Sequence, residues 1–170
     1  AGTNSILSKA SQSCTFCVAG KYSKASSQTC TSCRPGSFAP EGQGDACQLC
    51  EAGYYSDTVA AQNCTACVPG KYSNKGEMSC NVCPTGKVQS DYGQSSCVDC
   101  PRGTFADSVG MTQCSTCAIG KVSLVSASSS CTLCPPGKYS QTPTNCSDCS
   151  IGDYQTNNGK GECNVCPAGK

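Results

Sequence analysis

The stretch Cys64-Thr65-Ala66-Cys67-Val68-Pro69-Gly70-Lys71-Tyr72 decides how this chain folds. Two cysteines stand three positions apart. A glycine follows the second by three residues, and an aromatic follows the glycine by two. The string recurs throughout, in the pairs Cys14/Cys17, Cys30/Cys33, Cys47/Cys50, Cys64/Cys67, Cys80/Cys83, Cys97/Cys100, Cys114/Cys117, Cys131/Cys134, Cys146/Cys149 and Cys163/Cys166. Successive pairs begin 15 to 17 residues apart, usually 17. Every pair carries its glycine, and each of the first nine glycines is followed by a β-former: Tyr22, Phe38, Tyr55, Tyr72, Val88, Phe105, Val122, Tyr139 and Tyr154. Self-similarity in one register marks a repeat architecture.

Each position has a physical reading. A glycine at one fixed place predicts a backbone site with φ > 0, at position i+2 of a type II turn. Pro35, Pro69 and Pro136 directly precede their glycines and suit position i+1. The aromatic or Val is expected to open a short strand and to cover the disulfides as the core of its repeat. The polar stretches Lys24 to Thr29, Pro40 to Ala46 and Ser73 to Ser79 read as solvated turns. No segment between cysteines sustains a helical period.

Composition sets the stabilising chemistry. The 20 cysteines in 170 residues are about 12% of the chain, above the roughly 8–10% that marks a disulfide scaffold. Leu, Ile, Val and Phe together reach only about 12%, under the roughly 20% of an ordinary core. Burial alone cannot offset the chain's conformational entropy, so covalent staples or metal ions must contribute. The net charge is +1 with no basic run, which argues against a nucleic-acid partner. No apolar run is long enough to span a bilayer. Residues 1–13 show no signal-peptide pattern and read as an N-terminal segment or linker. Residues 14–170 carry the ten repeats, the last incomplete, so the chain reads as a piece of a longer one.

Three pairing frames fit the spacing. In the first, the second cysteine of each pair bonds the first of the next: Cys17–Cys30, Cys33–Cys47, Cys50–Cys64, Cys67–Cys80, Cys83–Cys97, Cys100–Cys114, Cys117–Cys131, Cys134–Cys146 and Cys149–Cys163. Cys14 and Cys166 are then left to flanking repeats or another subunit. In the second, consecutive pairs interlock one-to-three and two-to-four. In the third, each Cys-x-x-Cys closes on itself, a strained bond that leaves the long loops unstapled. The first is preferred, each bond contributing up to about 3 kcal/mol by constraining the unfolded chain.

The segments Cys134-Pro135-Pro136-Gly137-Lys138-Tyr139-Ser140 and Cys100-Pro101-Arg102-Gly103-Thr104-Phe105 carry a resemblance. The unit resembles the ephrin-receptor-like cysteine-rich repeat and, more distantly, the smallest loop module of tumour necrosis factor receptors. The resemblance covers residues 14 to 170. It implies an extracellular rod of stacked loops and supports the first pairing frame. Such repeats also occur in long surface and filament proteins of protists and algae. Receptors of both families carry few such modules among other types, whereas here one unit runs without interruption.

Rival chemistries lack parts. Two Cys-x-x-Cys pairs at this interval match a four-thiolate zinc site, but the loops are weakly charged and His is absent. A thioredoxin-type redox site needs its cysteine at a helix N-terminus within a βαβ unit. Ser-His and Cys-His nucleophilic sites need a histidine. Asp99, Asp107, Asp148 and Asp153 sit at differing repeat positions and read as solvated loop acids. No catalytic, metal or cofactor site is expected. Tyr54 and Tyr92 lie off the common register and are candidates for surface contact. Asn63-Cys64-Thr65 and Asn145-Cys146-Ser147 are glycosylation sequons, both placing Asn directly before the first cysteine of a pair.

The expectation is a small disulfide-rich protein of tandem short β-hairpin and loop repeats, stacked as an elongated rod with almost no helix. Each repeat should touch only its neighbours. The role that follows is non-enzymatic: an extracellular or cell-surface structural segment of a filament, stalk or coat. Its partners are then further copies or flanking repeats, together with covalent glycans. The alternative is a receptor or adhesin ectodomain binding a protein ligand.

Overall fold

A computed structural model describes residues 17–24, 27, 29–41 and 44–168. Among these residues there is no helix, and eighteen two-residue strands pair as nine antiparallel hairpins. Lys71–Tyr72 against Asn81–Val82 is typical, with Lys71 opposite Val82 and Tyr72 opposite Asn81. The strand begins at the residue after the glycine, so the aromatic is its second residue and not its first. Its partner strand is formed by the two residues inside the next Cys-x-x-Cys. The ladder then continues by one bond, from the N–H of the cysteine that follows to the carbonyl of the turn glycine, as in Cys83 to Gly70 at 2.9 Å.

Each hairpin starts in the turn that the glycine allows. The residue after Gly70, Lys71, donates its N–H to the Val68 carbonyl at 3.1 Å, and Gly70 has φ +80°. That is a type II turn with glycine at i+2. All nine turn glycines from Gly20 to Gly152 have φ between 78° and 93°.

Nine disulfides close nine modules. Module 1 is closed by Cys17–Cys30, module 2 by Cys33–Cys47, module 3 by Cys50–Cys64, module 4 by Cys67–Cys80 and module 5 by Cys83–Cys97. Modules 6 to 9 are closed by Cys100–Cys114, Cys117–Cys131, Cys134–Cys146 and Cys149–Cys163. Their Cα atoms lie 5.6–5.8 Å apart. The opening half-cystines of modules 1 to 8 are buried, while the closing ones are half-buried or, at Cys30, exposed.

The core is not aromatic. Tyr22, Phe38, Tyr55, Tyr72, Val88, Phe105 and Tyr139 are only half-buried, Tyr154 is exposed, and Val122 alone is enclosed. The buried position lies one residue further on, three after the glycine. It holds Ala39, Ser56, Ser73, Gln89, Ala106, Ser123, Ser140 and Gln155. Ser73, read from sequence as the start of a solvated loop, is fully enclosed. The reason is close approach of backbones: neighbouring modules meet here, and only a small or internally bonded side chain fits.

Candidate functional site

The most elaborated feature of the chain is the joint between modules, which is built from main-chain groups. Each turn glycine donates its N–H to the carbonyl of the buried residue in the next module, from Gly20 to Ala39 at 2.7 Å through Gly137 to Gln155 at 2.7 Å. That residue's own N–H reaches forward in turn. Ala39 donates to Ala61 at 3.1 Å and Ser140 to Lys160 at 3.0 Å, each acceptor lying three residues before a closing cysteine. A third bond runs backward. The residue four before a closing cysteine donates to the carbonyl of the preceding module's opening cysteine, as in Ala60 to Cys33, Gly93 to Cys67 and Gly159 to Cys134, each at 2.8 Å.

Contact also skips a module. A Cβ on Gly53 of module 3 would fall on the Gly93 carbonyl oxygen of module 5. Gly20 meets Ala60, Gly36 meets Gly76, Gly70 meets Gly110, Gly86 meets Ala127 and Gly120 meets Gly159 in the same way. Leu49, Val82 and Leu133 lean on Gly76, Gly110 and Gly159, again two modules on. The expectation that each repeat touches only its neighbours is therefore corrected: each module packs against the next and the next but one. The second special position in the loop carries Gly76, Gly93, Gly110 and Gly159 with φ of 68–78°, and Ala60 and Ala127 at 60° and 57°. Its glycines were present in the sequence at four residues before a cysteine, but loop lengths vary and blur that register.

Module 8 departs from this scheme. Its cysteines stand 12 positions apart, against 13 or 14 elsewhere. The loop has no left-handed residue, and among the described residues no backbone N–H reaches the Cys117 carbonyl. Pro143 and Thr144 instead pack their side chains against Gly103. An open groove lies between modules 7 and 9, lined by Ile119, Gln141, Asn157, Lys160 and Glu162 among others.

The remaining residues singled out from sequence fall as follows. Cys14 lies outside the described residues. Cys166 has no disulfide partner among the described residues and is half-buried. Asn63 and Asn145 are exposed, each one residue before the closing cysteine of its module, and Asn145 Oδ1 accepts a bond from Thr142 Oγ1 at 2.7 Å. Tyr92 is 67% exposed at a loop tip, whereas the Tyr54 ring lies against Gly93. Asp99 and Asp148 do not sit at differing positions as read from sequence. They share one strand position and pair with the facing Lys87 and Lys138 at 2.8 and 2.7 Å. These pairs and Lys75–Glu51 are well exposed and add little to stability. Asp107 accepts a bond from Ser108, and Asp153 lies in the strand pair of module 9.

Among the described residues nine disulfides engage eighteen cysteines, each linking one Cys-x-x-Cys pair to the next. Among the described residues no helix is long and apolar enough to cross a membrane. The protein so defined is a tandem array of disulfide-closed hairpin modules joined through their backbones. The family described as tyrosine-protein kinase ephrin type A/B receptor-like matches residues 20–67, 70–117 and 137–170, and the chain belongs to it. Residues 118–136, between two of the matched stretches, contain most of module 7 and keep the same turn and disulfide. A comparison with curated proteins found no match.

Proposed function

We propose that this chain is a non-enzymatic structural segment of an extracellular filament, stalk or surface coat, glycosylated at Asn63 and Asn145. One observation carries the reading: the joints are made of backbone groups repeated from module to module, so the array gains length without a global core. Nine disulfides fit an oxidising setting outside the cytosol. Exposed sequons at equivalent places in modules 3 and 8 fit a sugar-decorated surface.

The family takes its description from a receptor, which supports the second reading of a receptor or adhesin ectodomain. Negative-stain electron microscopy of native material separates the two. Ordered fibres that disperse on reduction are the expected result. Isolated particles that bind a cell-surface protein would overturn the filament in favour of the receptor. Peptide mass spectrometry is expected to find glycans on Asn63 and Asn145, and bare asparagine at both would remove the decoration.

A further inference from the structure

Asn158-Gly159 is the chain's one Asn-Gly step. Asn158 is exposed in the loop of module 9, and Gly159 adopts φ +71°. With no Cβ in the way, the nitrogen of a glycine can close on the preceding asparagine side chain more readily than that of any other residue. Here that nitrogen is engaged: Gly159 N–H donates to the Cys134 carbonyl at 2.8 Å. The same loop places Lys160 O against Ser140 N–H at 3.0 Å and Gly159 O against the α-carbon of Gly120.

We propose that Asn158-Gly159 is a self-modifying site, converted to isoaspartate when the joint between modules 8 and 9 opens. On opening, Gly159 N loses its proton to a solvent base and forms a bond to Asn158 Cγ. The Cγ–Nδ2 bond breaks and ammonia leaves with a proton from solvent, giving a five-membered imide. Water then opens the imide at either carbonyl, to Asp or isoAsp, so the net change is one water in and one ammonia out. No oxidant or enzyme is needed.

Isoaspartate routes the main chain through the former side chain and lengthens the loop by one methylene. Gly159 then cannot meet both Cys134 and Gly120, so a transient opening becomes permanent. The place is apt for opening because module 8, beneath this loop, lacks its own backward bond to Cys117 and leaves a groove beside Asn157 and Lys160. A long-lived extracellular polymer would thus carry an irreversible record of how often this joint has parted.

The test follows isoaspartate at residue 158 by peptide mapping during incubation in mildly alkaline buffer. Three samples are compared: the oxidised protein, the reduced and alkylated protein, and the oxidised double variant Cys149→Ser/Cys163→Ser. The oxidised protein is expected to convert about tenfold more slowly than the reduced chain, a protection set by local opening. The double variant keeps the reacting sequence and loses only the module 9 staple, so its rate should approach that of the reduced chain. Equal rates in oxidised and reduced protein would overturn the gate, as would a double variant as slow as the intact protein. A reduced chain that forms no isoaspartate would overturn the site.

Discussion

Gly53 and Gly137 occupy the same turn position with φ of +89° and +78°, yet their surroundings differ. A Cβ on Gly53 would displace the Gly93 carbonyl, while one on Gly137 meets nothing within 4 Å. Gly137→Ala should therefore cost only the left-handed strain, about 1–2 kcal/mol. Gly53→Ala must also push away the loop of module 5 and its bond from Gly93 N–H to Cys67, adding about 2 kcal/mol. Amide exchange across modules 3 to 5, compared with modules 7 to 9, reads the difference; equal losses would mean that the skipped-module contact does not constrain the glycine. The turn itself was legible in the sequence, because a φ > 0 site selects a residue type. Its distant partner was not, because every residue owns a carbonyl.

At the level of the hairpin, the decisive position is the residue after the aromatic. Ser73 is enclosed and bonds through Oγ to the Tyr54 carbonyl at 3.0 Å, while Ala39 and Ala106 fill the same place without a hydroxyl. Gln89 and Gln155 fold their amides onto their own loops, bonding Ser96 O and Glu162 O at 2.8 Å. Ser73→Ala should thus cost no more than about 1 kcal/mol. Ser73→Leu should cost about 1–3 kcal/mol by overpacking, despite the gain in hydrophobicity. Denaturant unfolding of the two variants checks the order; a stabilised Leu variant would show that the joint has spare room. Sequence reasoning missed this position because it looked for apolar residues. What recurs there is small volume or a self-satisfied amide, and Ser, Ala and Gln share no hydropathy. The aromatic beside it was conspicuous but serves as a half-exposed strand residue.

Across the whole molecule, stability is carried from joint to joint, and module 8 is the irregular link. The shortened spacing between Cys134 and Cys146 was visible in the sequence, but its effect was not. The missing donor belongs to module 8, and the Cys117 carbonyl it would meet belongs to module 7. Inserting two residues between Gln141 and Asn145, with glycine placed four before the closing cysteine, should restore that bond. Amide exchange in modules 7 to 9 is then expected to slow by a free energy of about 1 kcal/mol, with modules 2 to 4 unchanged. No change in modules 7 to 9 would mean that the shorter loop is already fully satisfied. The disulfide frame has a mechanical consequence as well. Tension applied along the chain enters a module at Cys17, crosses the sulfur bridge to Cys30, and leaves through Thr31 and Ser32 to Cys33. The loop between the bridged cysteines carries none of the load, although it holds most of the module's contour. With 5.7 Å across the bridge and three extended backbone steps, a module cannot stretch beyond about 16 Å while its sulfurs are joined. Breaking the bond releases about 40 Å more. In an oxidising medium the bridges cap how far the array can be drawn out, and in a reducing one that cap is lifted.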